Sequence, residues 1–238
     1  MPTTTTNLTD TKEPIWLKDD VATFPGFLDE EQCDQIIAFF EDQGVNHGNW
    51  MQTCFYGSRG MALVISQEAL EKSGLEQRHE NYFEWLRLEI KSAIESAFNR
   101  EVVTNSTHAQ LWPTGSFARW HSDNSDLDGT PSAWGNNKFA SILYLNDDYE
   151  GGELIFRDYD LQIKLTKGSL ITFPGGIENI HRVEEIKSGE RITIVGFWDY
   201  ADSDYSEEDL KNRNAQIAFE RILQTEQKAL WSLGYTDA

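Results

Sequence analysis

Eight short β-rich runs between residues 107 and 198 constrain the fold of this chain more than any other feature. They occupy residues 107–112, 117–121, 139–145, 153–157, 161–164, 169–173, 181–184 and 191–198. Turn signals such as Pro-Thr-Gly at 113–115 and Pro-Gly-Gly at 174–176 separate neighbouring runs. Short strands at close, fairly even intervals are typical of an antiparallel sandwich or barrel. We therefore predict a mainly β domain.

Helices are predicted on both sides of this β region. Asp29 and Gln32 can form a capping box, and apolar residues at helical spacing follow it until Gly44. A second apolar stripe predicts a helix over residues 76–99, and a third predicts a helix over residues 206–233. Because stripes of this kind face a core, we expect the helices to support one face of the β region.

The length of 238 residues suits one sizeable domain. The polar, Thr-rich start predicts a flexible tail over residues 1–15, and we expect one domain over residues 16–200. Residues 201–238 are predicted to form a helix that packs on this domain or makes a dimer contact. The sequence does not decide between a monomer and a homodimer.

The charge of the chain is strongly acidic, with 40 acidic and 20 basic side chains and a formal net charge of −20. Such a field repels a phosphate backbone, so we expect no nucleic-acid partner. One interpretation of the acidity is attraction to a basic protein or peptide. The other is a solvated surface that favours solubility.

Cysteine content and hydropathy bear on the cellular location. Cys33 and Cys54 are too few for a disulfide scaffold in a chain of this length. The N-terminus has neither a basic start nor an apolar run, and no stretch reaches the roughly 18 apolar residues of a membrane helix. We expect a soluble, cytoplasmic protein without a membrane partner.

The tripeptide His121-Ser122-Asp123 is the first candidate for chemistry. It ends a predicted strand, where residues two apart point to the same side, so His121 and Asp123 can bind one ion. His181 begins a later strand and could complete a 2-His-1-carboxylate face, which leaves positions on Fe(II) open. Taken alone, the tripeptide fits equally well a histidine and an aspartate that are hydrogen-bonded near a turn.

Arg191 follows His181 by ten residues and begins another β-rich run. A guanidinium inside a barrel must find an anion, and a carboxylate suits it bidentately. A dicarboxylic keto acid could bind a metal with one end and Arg191 with the other. The alternative for Arg191 is a salt bridge at a strand edge.

Several longer motifs resemble those of prolyl 4-hydroxylase-type, Fe(II)- and 2-oxoglutarate-dependent dioxygenases. One motif is SILYLNDDYEGGELIF at 141–156, and another is GSLITFP at 168–174 followed by HRVE at 181–184. A third, FPGFLDEEQC at 24–33, is similar to that family's entry into its first helix. The resemblance covers roughly residues 20–200, and its motifs fall in the family's order.

This resemblance implies a double-stranded β-helix, or jelly-roll, core with flanking helices. The residues that it assigns to Fe(II) are His121, Asp123 and His181. The residues that it assigns to the 2-oxoglutarate site are Arg191, Tyr144, Thr193 and Trp112. Two departures stand out, since family members that act on structural proline usually carry Lys at position 191 and often carry Tyr at position 112.

The activity that the resemblance implies is hydroxylation of a C–H bond, with release of succinate and CO2. The expected substrate is a prolyl residue in a protein or peptide, and the expected cofactors are Fe(II), O2 and ascorbate as an optional reductant. Two alternatives stay open. The first is a dioxygenase that acts on a free amino acid, another small metabolite or an alkylated base, and the second is a non-catalytic jelly-roll binding module.

Substrate selection is expected to lie in the loops of such a domain. Residues 122–138, with Trp134 near their end, and residues 47–61 are candidates for a lid. The aromatic residues Trp50, Phe55 and Tyr56 could contact a substrate ring or belong to the core. Strand position also predicts an apolar wall that includes Ile142 and Phe173.

Overall fold

The structure is a computed structural model that describes residues 13–45, 51–53, 62–65, 82–212 and 214–215. Several predictions lie outside these residues: Cys54, the aromatic residues at 50, 55 and 56, most of the segment 47–61, and the third helix beyond residue 215. Residues 1–12 of the predicted tail also lie outside, and the first strand begins at Ile15.

Among the described residues, two long helices precede the main β region. They are α1 (Glu30–Val45) and α2 (Tyr82–Phe98). The strands are β1 (Ile15–Lys18), β2 (Val21–Phe24), β3 (Met51–Thr53), β4 (Ala62–Ile65), β5 (Val102–Pro113), β6 (Ala118–His121), β7 (Phe139–Tyr144), β8 (Glu150–Gly151), β9 (Leu154–Phe156), β10 (Leu161–Ile163), β11 (Leu170–Pro174), β12 (His181–Val183), β13 (Ile186–Ser188) and β14 (Glu190–Tyr200). A short 3₁₀ helix spans Ile177–Asn179.

The strands form two main antiparallel sheets. The larger sheet has the order β1-β2-β11-β7-β14-β5-β4-β3, and the smaller has the order β10-β9-β12-β6. Strands β8 and β13 pair separately. Each of the eight β-rich runs identified in the sequence overlaps one strand of these sheets, so the sequence prediction of the strands from residue 107 onward is confirmed.

The larger sheet is covered on both faces. On one face, α1 and α2 pack against alternate residues of its strands, for example Ile36 and Ile90 in one cluster with Leu143 and Ile194. On the other face, a second cluster fills the space between the two sheets and includes Ile142 and Val195 from the larger sheet. Successive side chains of a strand point to opposite faces, which explains why β7 is buried at every position.

The predicted capping box before α1 is present, and a second capping pair begins the last described helix. The backbone N–H of Asp29 donates to Gln32 Oε1 at 3.0 Å, and the backbone N–H of Gln32 donates to Asp29 Oδ1 at 2.8 Å. Residues 207–212 are helical, and the Asp209 backbone N–H donates to Ser206 Oγ at 3.1 Å. No helix in the described residues combines the length and apolar character that crossing a bilayer requires.

Gly168 ties the segment before α1 to the larger sheet, and we predict that Gly168→Ala destabilises the protein. Its φ is 78°, its carbonyl accepts a hydrogen bond from the Leu28 N–H at 2.9 Å, and an added Cβ would lie 2.2 Å from the Leu28 carbonyl oxygen. We expect the free energy of unfolding to fall by about 2–4 kcal/mol in urea denaturation.

Gly115→Ala is the matched control for this prediction, because Gly115 has a φ of 90° but an added Cβ would meet no atom within 4 Å. This variant carries the backbone strain without the clash, so we expect a loss of only about 1 kcal/mol. Equal losses in the two variants would contradict the proposed steric cause.

Candidate active site

His121, Asp123 and His181 lie together between the two sheets. His121 is the last residue of β6 and His181 is the first residue of β12, and the two are directly paired across the smaller sheet. One potential ligand atom from each of the three residues lies within 4.8 Å of the others, and all three side chains are buried. The structure thus brings together the three residues that the sequence predicted to bind a metal.

Both histidines are held by the same kind of hydrogen bond. The Nδ1 atom of His121 lies 2.7 Å from the Arg119 carbonyl oxygen, and the Nδ1 atom of His181 lies 2.9 Å from the Asn179 carbonyl oxygen. Because a carbonyl oxygen can only accept, Nδ1 carries the proton and Nε2 presents its lone pair. The Nε2 atoms lie 3.8 Å and 4.0 Å from the two carboxylate oxygens of Asp123.

Burial is also consistent with a neutral, ligating imidazole at His121. Burial, and then the neighbouring His181, hold the pKa of His121 well below its usual value of 6.5. The ring is therefore uncharged at neutral pH without any bound ion. Neutral imidazole is the form that binds a metal.

Asp123 reaches the site from a loop, which differs from the prediction that it continues the strand of His121. Strand β6 ends at His121, and the Asp123 backbone N–H donates to the Gly175 carbonyl at 2.9 Å. A Cβ on Gly175 would lie 2.4 Å from the Asn137 carbonyl oxygen and 3.2 Å from the Asp123 Cβ. This close approach of two loops, and not strand periodicity, places the carboxylate beside the histidines.

Arg191 is almost completely buried, with 1% of its surface exposed, and it lines the same cavity as the three predicted metal ligands. Its Nη2 atom donates to the Tyr144 hydroxyl at 3.1 Å, and its guanidinium carbon lies 5.7 Å from the centre of the Trp112 ring. Within the described part of the chain, no carboxylate forms an ion pair with Arg191 and its Nε atom has no hydrogen-bond partner.

The ionisation of Arg191 follows from these neighbours. Burial lowers its pKa, but the nearby hydroxyl groups of Tyr144 and Tyr149 more than offset this effect, and the net shift is upward. The guanidinium therefore stays charged inside the protein. A buried cation without a carboxylate among the described residues is a strong site for an anionic ligand.

The remaining predicted cosubstrate residues surround Arg191. Tyr144 is fully buried and accepts the hydrogen bond from Arg191. Thr193 pairs with Tyr144 across β14 and β7, and its buried Oγ1 has no hydrogen-bond partner among the described residues. Trp112 lines the cavity, as the sequence predicted for a cosubstrate wall.

The cavity itself has a volume of about 70 Å³ and a mainly apolar wall. Its lining residues are Gln110, Trp112, Ala118, His121, Asp123, Ala140, Ile142, Leu154, Phe173, His181, Val183, Arg191, Val195 and Phe197. The predicted wall residues Ile142 and Phe173 are both among them. An apolar enclosure of this kind limits the access of water to a reaction centre.

Gln110 and Tyr149 belong to this site, although the sequence analysis did not select them. Gln110 lies two residues before Trp112 on β5, so the period of two residues along a strand could have identified it. Tyr149 follows an acidic turn after β7, where no periodic signal exists. Its position beside Arg191 depends on the packing of that turn against Gly152.

A chain of hydrogen bonds runs along the inner face of β5. The Trp112 indole N–H donates to Gln110 Oε1 at 2.8 Å, and Gln110 Nε2 lies 2.9 Å from His108 Nε2. Because the indole can only donate, the Gln110 amide nitrogen donates to His108, which must then be neutral. Burial lowers the pKa of His108 to about 4, in agreement with this assignment.

We predict that His108 makes the metal-free protein less stable in acid. Its pKa is 6.5 in the unfolded chain and about 4 in the fold, so the unfolded state binds more protons between these values. The stabilising contribution is present above pH 6.5 and is lost as the pH falls towards 4. We expect urea denaturation to show that wild type loses about 3 kcal/mol more than His108→Gln over this range. Parallel pH profiles of the two proteins would contradict the prediction.

Comparisons with known proteins agree with this geometry. Residues 107–199, which hold all the predicted site residues, match the family model of the 2OG-Fe(II) oxygenase superfamily. The chain is similar to that superfamily over this segment. The sequence prediction of the family is therefore confirmed.

Curated relatives share a central part of the chain. Prolyl 3-hydroxylase 2 of Rattus norvegicus is 35% identical over 99 residues, which are 37% of this chain and 14% of that protein. A PKHD-type hydroxylase of Crocosphaera subtropica is 37% identical over 79 residues, which are 32% of this chain and 35% of that protein. The matched segments thus span about a third or less of each relative's own length.

Solved structures share the fold. A Pseudomonas putida prolyl-4-hydroxylase is 19% identical with a TM-score of 0.54, and the match covers 76% of this chain and 92% of that one. A Trichoplax adhaerens prolyl hydroxylase in complex with a hypoxia inducible factor peptide is 16% identical with a TM-score of 0.57, and covers 77% and 84%. The predicted mainly β, double-stranded β-helix fold with flanking helices is confirmed.

Proposed function

We propose that the chain is an Fe(II)- and 2-oxoglutarate-dependent dioxygenase that hydroxylates a C–H bond of a prolyl residue in a protein or peptide. In this reaction one oxygen atom of O2 enters the substrate, whose C–H bond becomes C–OH. The other oxygen atom enters succinate, which 2-oxoglutarate forms as it loses CO2 and supplies two electrons. The observation that carries the proposal is the convergence of His121, Asp123, His181 and the buried cation of Arg191 on one cavity.

The donor set fits iron. Two imidazole nitrogens and one carboxylate form the 2-His-1-carboxylate set that is typical of non-haem Fe(II) oxygenases. In the proposed function, His121, Asp123 and His181 hold the metal. When bound, iron and its cosubstrate supply the oxidising power that amino-acid side chains lack.

The surroundings of Arg191 fit the distal carboxylate of 2-oxoglutarate. The guanidinium offers donors without a described carboxylate partner, and the Tyr144 and Thr193 hydroxyls lie on the same face of the larger sheet. Arg191 would orient the cosubstrate by pairing bidentately with this carboxylate. The apolar wall of the cavity would exclude water from the bound keto acid.

The prolyl assignment rests on the relatives and not on the cavity. The curated and structural relatives described above carry the names prolyl hydroxylase and PKHD-type hydroxylase, and one is bound to a peptide. A protein or peptide substrate fits these names. Several expectations from the sequence stay predictions. They are a basic character of that substrate, a cytoplasmic location, ascorbate as reductant, the absence of a nucleic-acid partner, and the state as monomer or homodimer. The division of the chain into residues 16–200 and 201–238 also stays a prediction.

An anaerobic titration tests the proposal first. Fe(II) and then 2-oxoglutarate would be added to the metal-free protein, and a visible charge-transfer band would be followed. We expect a band that requires both additions and, in air, conversion of 2-oxoglutarate to succinate that prolyl peptides accelerate. Absence of the band would contradict the cofactor assignment, and acceleration by a free amino acid alone would favour a metabolite substrate.

A further inference from the structure

The two histidines of the triad are anchored by backbone carbonyl groups in different settings. Arg119, whose carbonyl binds His121, lies inside β6, between Ala118 and His121, which both pair with β12. Asn179, whose carbonyl binds His181, lies in the 3₁₀ helix before β12 and outside both sheets. Because no ladder pairing fixes Asn179, its position must depend on other contacts.

Asp20 provides one of these contacts, from a distant part of the chain. Asp20 lies in the turn between β1 and β2, and its Oδ2 atom accepts a hydrogen bond from the buried Asn179 Nδ2 at 2.8 Å. The Asn179 backbone N–H also donates to the Gly176 carbonyl at 3.0 Å, within the same turn. Among the described residues, the bond to Asp20 connects the Asn179 side chain to the turn between β1 and β2.

The Asp20 carboxylate is itself fixed by a second donor. The Tyr159 hydroxyl, in the turn between β9 and β10, donates to Asp20 Oδ1 at 2.9 Å. Burial, and then this bond to Asp20, raise the pKa of Tyr159 to about 12, so the phenol keeps its proton and remains a donor. Three turns therefore meet at one carboxylate, with one donor on each of its oxygens.

We propose that Asp20 is a positioning residue for the metal site, because it holds Asn179 so that the Asn179 carbonyl fixes the ring of His181. We refer to Asp20, Tyr159 and Asn179 as the Asp20 clamp. The inference rests on the proposed function, since it gives the His181 Nε2 atom the role of a metal ligand. It adds a residue 161 positions before His181, outside the segment 107–199 that matches the family.

The physical reason is the geometric demand of a metal site. A shift of the Asn179 carbonyl would rotate the His181 imidazole and turn its Nε2 lone pair away from the ion. The backbone of His181 would stay in place. Loss of the partner that orients a metal-binding histidine typically weakens metal affinity by about 10- to 100-fold. Asp20 acts through one further hydrogen bond, because it contacts Asn179 and not His181 itself. We therefore expect a loss of metal affinity at the lower end of this range.

Three variants separate this role from a general structural one. Asp20→Ala removes both hydrogen bonds of the carboxylate. Asp20→Asn can restore them, because its amide oxygen accepts from Asn179 and its amide NH2 donates to the Tyr159 hydroxyl. Tyr159→Phe is the intermediate variant, since it removes one hydrogen bond to Asp20 and leaves the bond from Asn179 intact.

The measurement is anaerobic titration of each metal-free protein with Co(II) alone, by calorimetry and by the visible absorption of the bound ion. We expect Asp20→Ala to bind Co(II) about tenfold more weakly with a changed absorption spectrum. Asp20→Asn should stay within about twofold of wild type, because it keeps the orienting bond. Tyr159→Phe should bind Co(II) more weakly than Asp20→Asn and more tightly than Asp20→Ala, because it keeps that bond but removes the second donor to Asp20.

A double variant tests whether Asp20 acts through Asn179. If it does, Asp20→Ala combined with Asn179→Ala should bind Co(II) no more weakly than the weaker single variant. Additive losses, or an Asp20→Ala protein with wild-type affinity and spectrum, would overturn the inference. If wild type binds Co(II) but the variants show none of the expected losses, the Asp20 clamp alone is refuted. If wild type binds no Co(II), the proposed metal site is refuted as well.

Discussion

Asp123→Ala is expected to weaken Fe(II) binding by more than about 100-fold, or roughly 3 kcal/mol, because it removes the charged member of the proposed ligand set. The two remaining ligands are neutral imidazoles, each with its Nδ1 bound to a backbone carbonyl. Anaerobic calorimetry with Fe(II) measures the loss directly. Turnover of 2-oxoglutarate should fall with metal occupancy.

The same loop offers a matched control in Asp126→Ala. Asp126 lies three residues further along and its side chain is exposed, so its removal changes the charge of the protein equally without touching the cavity. We expect Asp126→Ala to bind Fe(II) like wild type, and both variants to unfold cooperatively. An equal loss in the two variants would show that long-range charge, and not ligation by Asp123, governs metal affinity.

The site residues could be predicted from sequence where local patterns and motif order carried the information. His121, His181 and Arg191 each lie at an end of a short β-rich run, and the strands form where those runs predict them. Apolar periodicity likewise indicated Ile142 and Phe173 as wall residues. Strand periodicity depends only on neighbouring residues, so it can be recognised in the sequence without knowledge of the fold.

Other features depend on pairing between distant segments, and sequence patterns did not reveal them. Strand β5 begins at Val102, five residues before the predicted run, because its polar first half pairs with the end of β14. Strands β1 and β2 were not predicted, although β2 pairs with β11 in the larger sheet. Such strands are stabilised by their neighbours more than by their own composition.

The position of Asp123 shows the same limit at the scale of one residue. Strand geometry predicted that Asp123 lies beside His121. In the structure β6 ends at His121, and a bond to the Gly175 carbonyl places Asp123 there. The Asp20 clamp has a similar origin. Asp20 and Asn179 are 159 residues apart, and only the folded arrangement of three turns brings them together.

Arg191→Met is expected to lower the affinity for 2-oxoglutarate by at least about 100-fold while Fe(II) affinity stays close to that of wild type. The variant replaces a buried charge by an apolar side chain of similar length, and it removes every donor that the guanidinium offers a carboxylate. Arg191→Lys keeps the charge but loses the bidentate geometry, so we expect a loss of about tenfold.

The choice of keto acid makes this prediction specific to the distal carboxylate. Wild type should bind 2-oxoglutarate far more tightly than 2-oxobutyrate, which lacks that carboxylate, and Arg191→Met should bind the two acids about equally. Because Arg191 is a buried cation without a described carboxylate partner, its replacement should leave the free energy of unfolding unchanged or raise it. A variant that still prefers 2-oxoglutarate would place the carboxylate elsewhere, whereas a strongly destabilised variant would show that Arg191 is a structural residue whose partners lie within the protein.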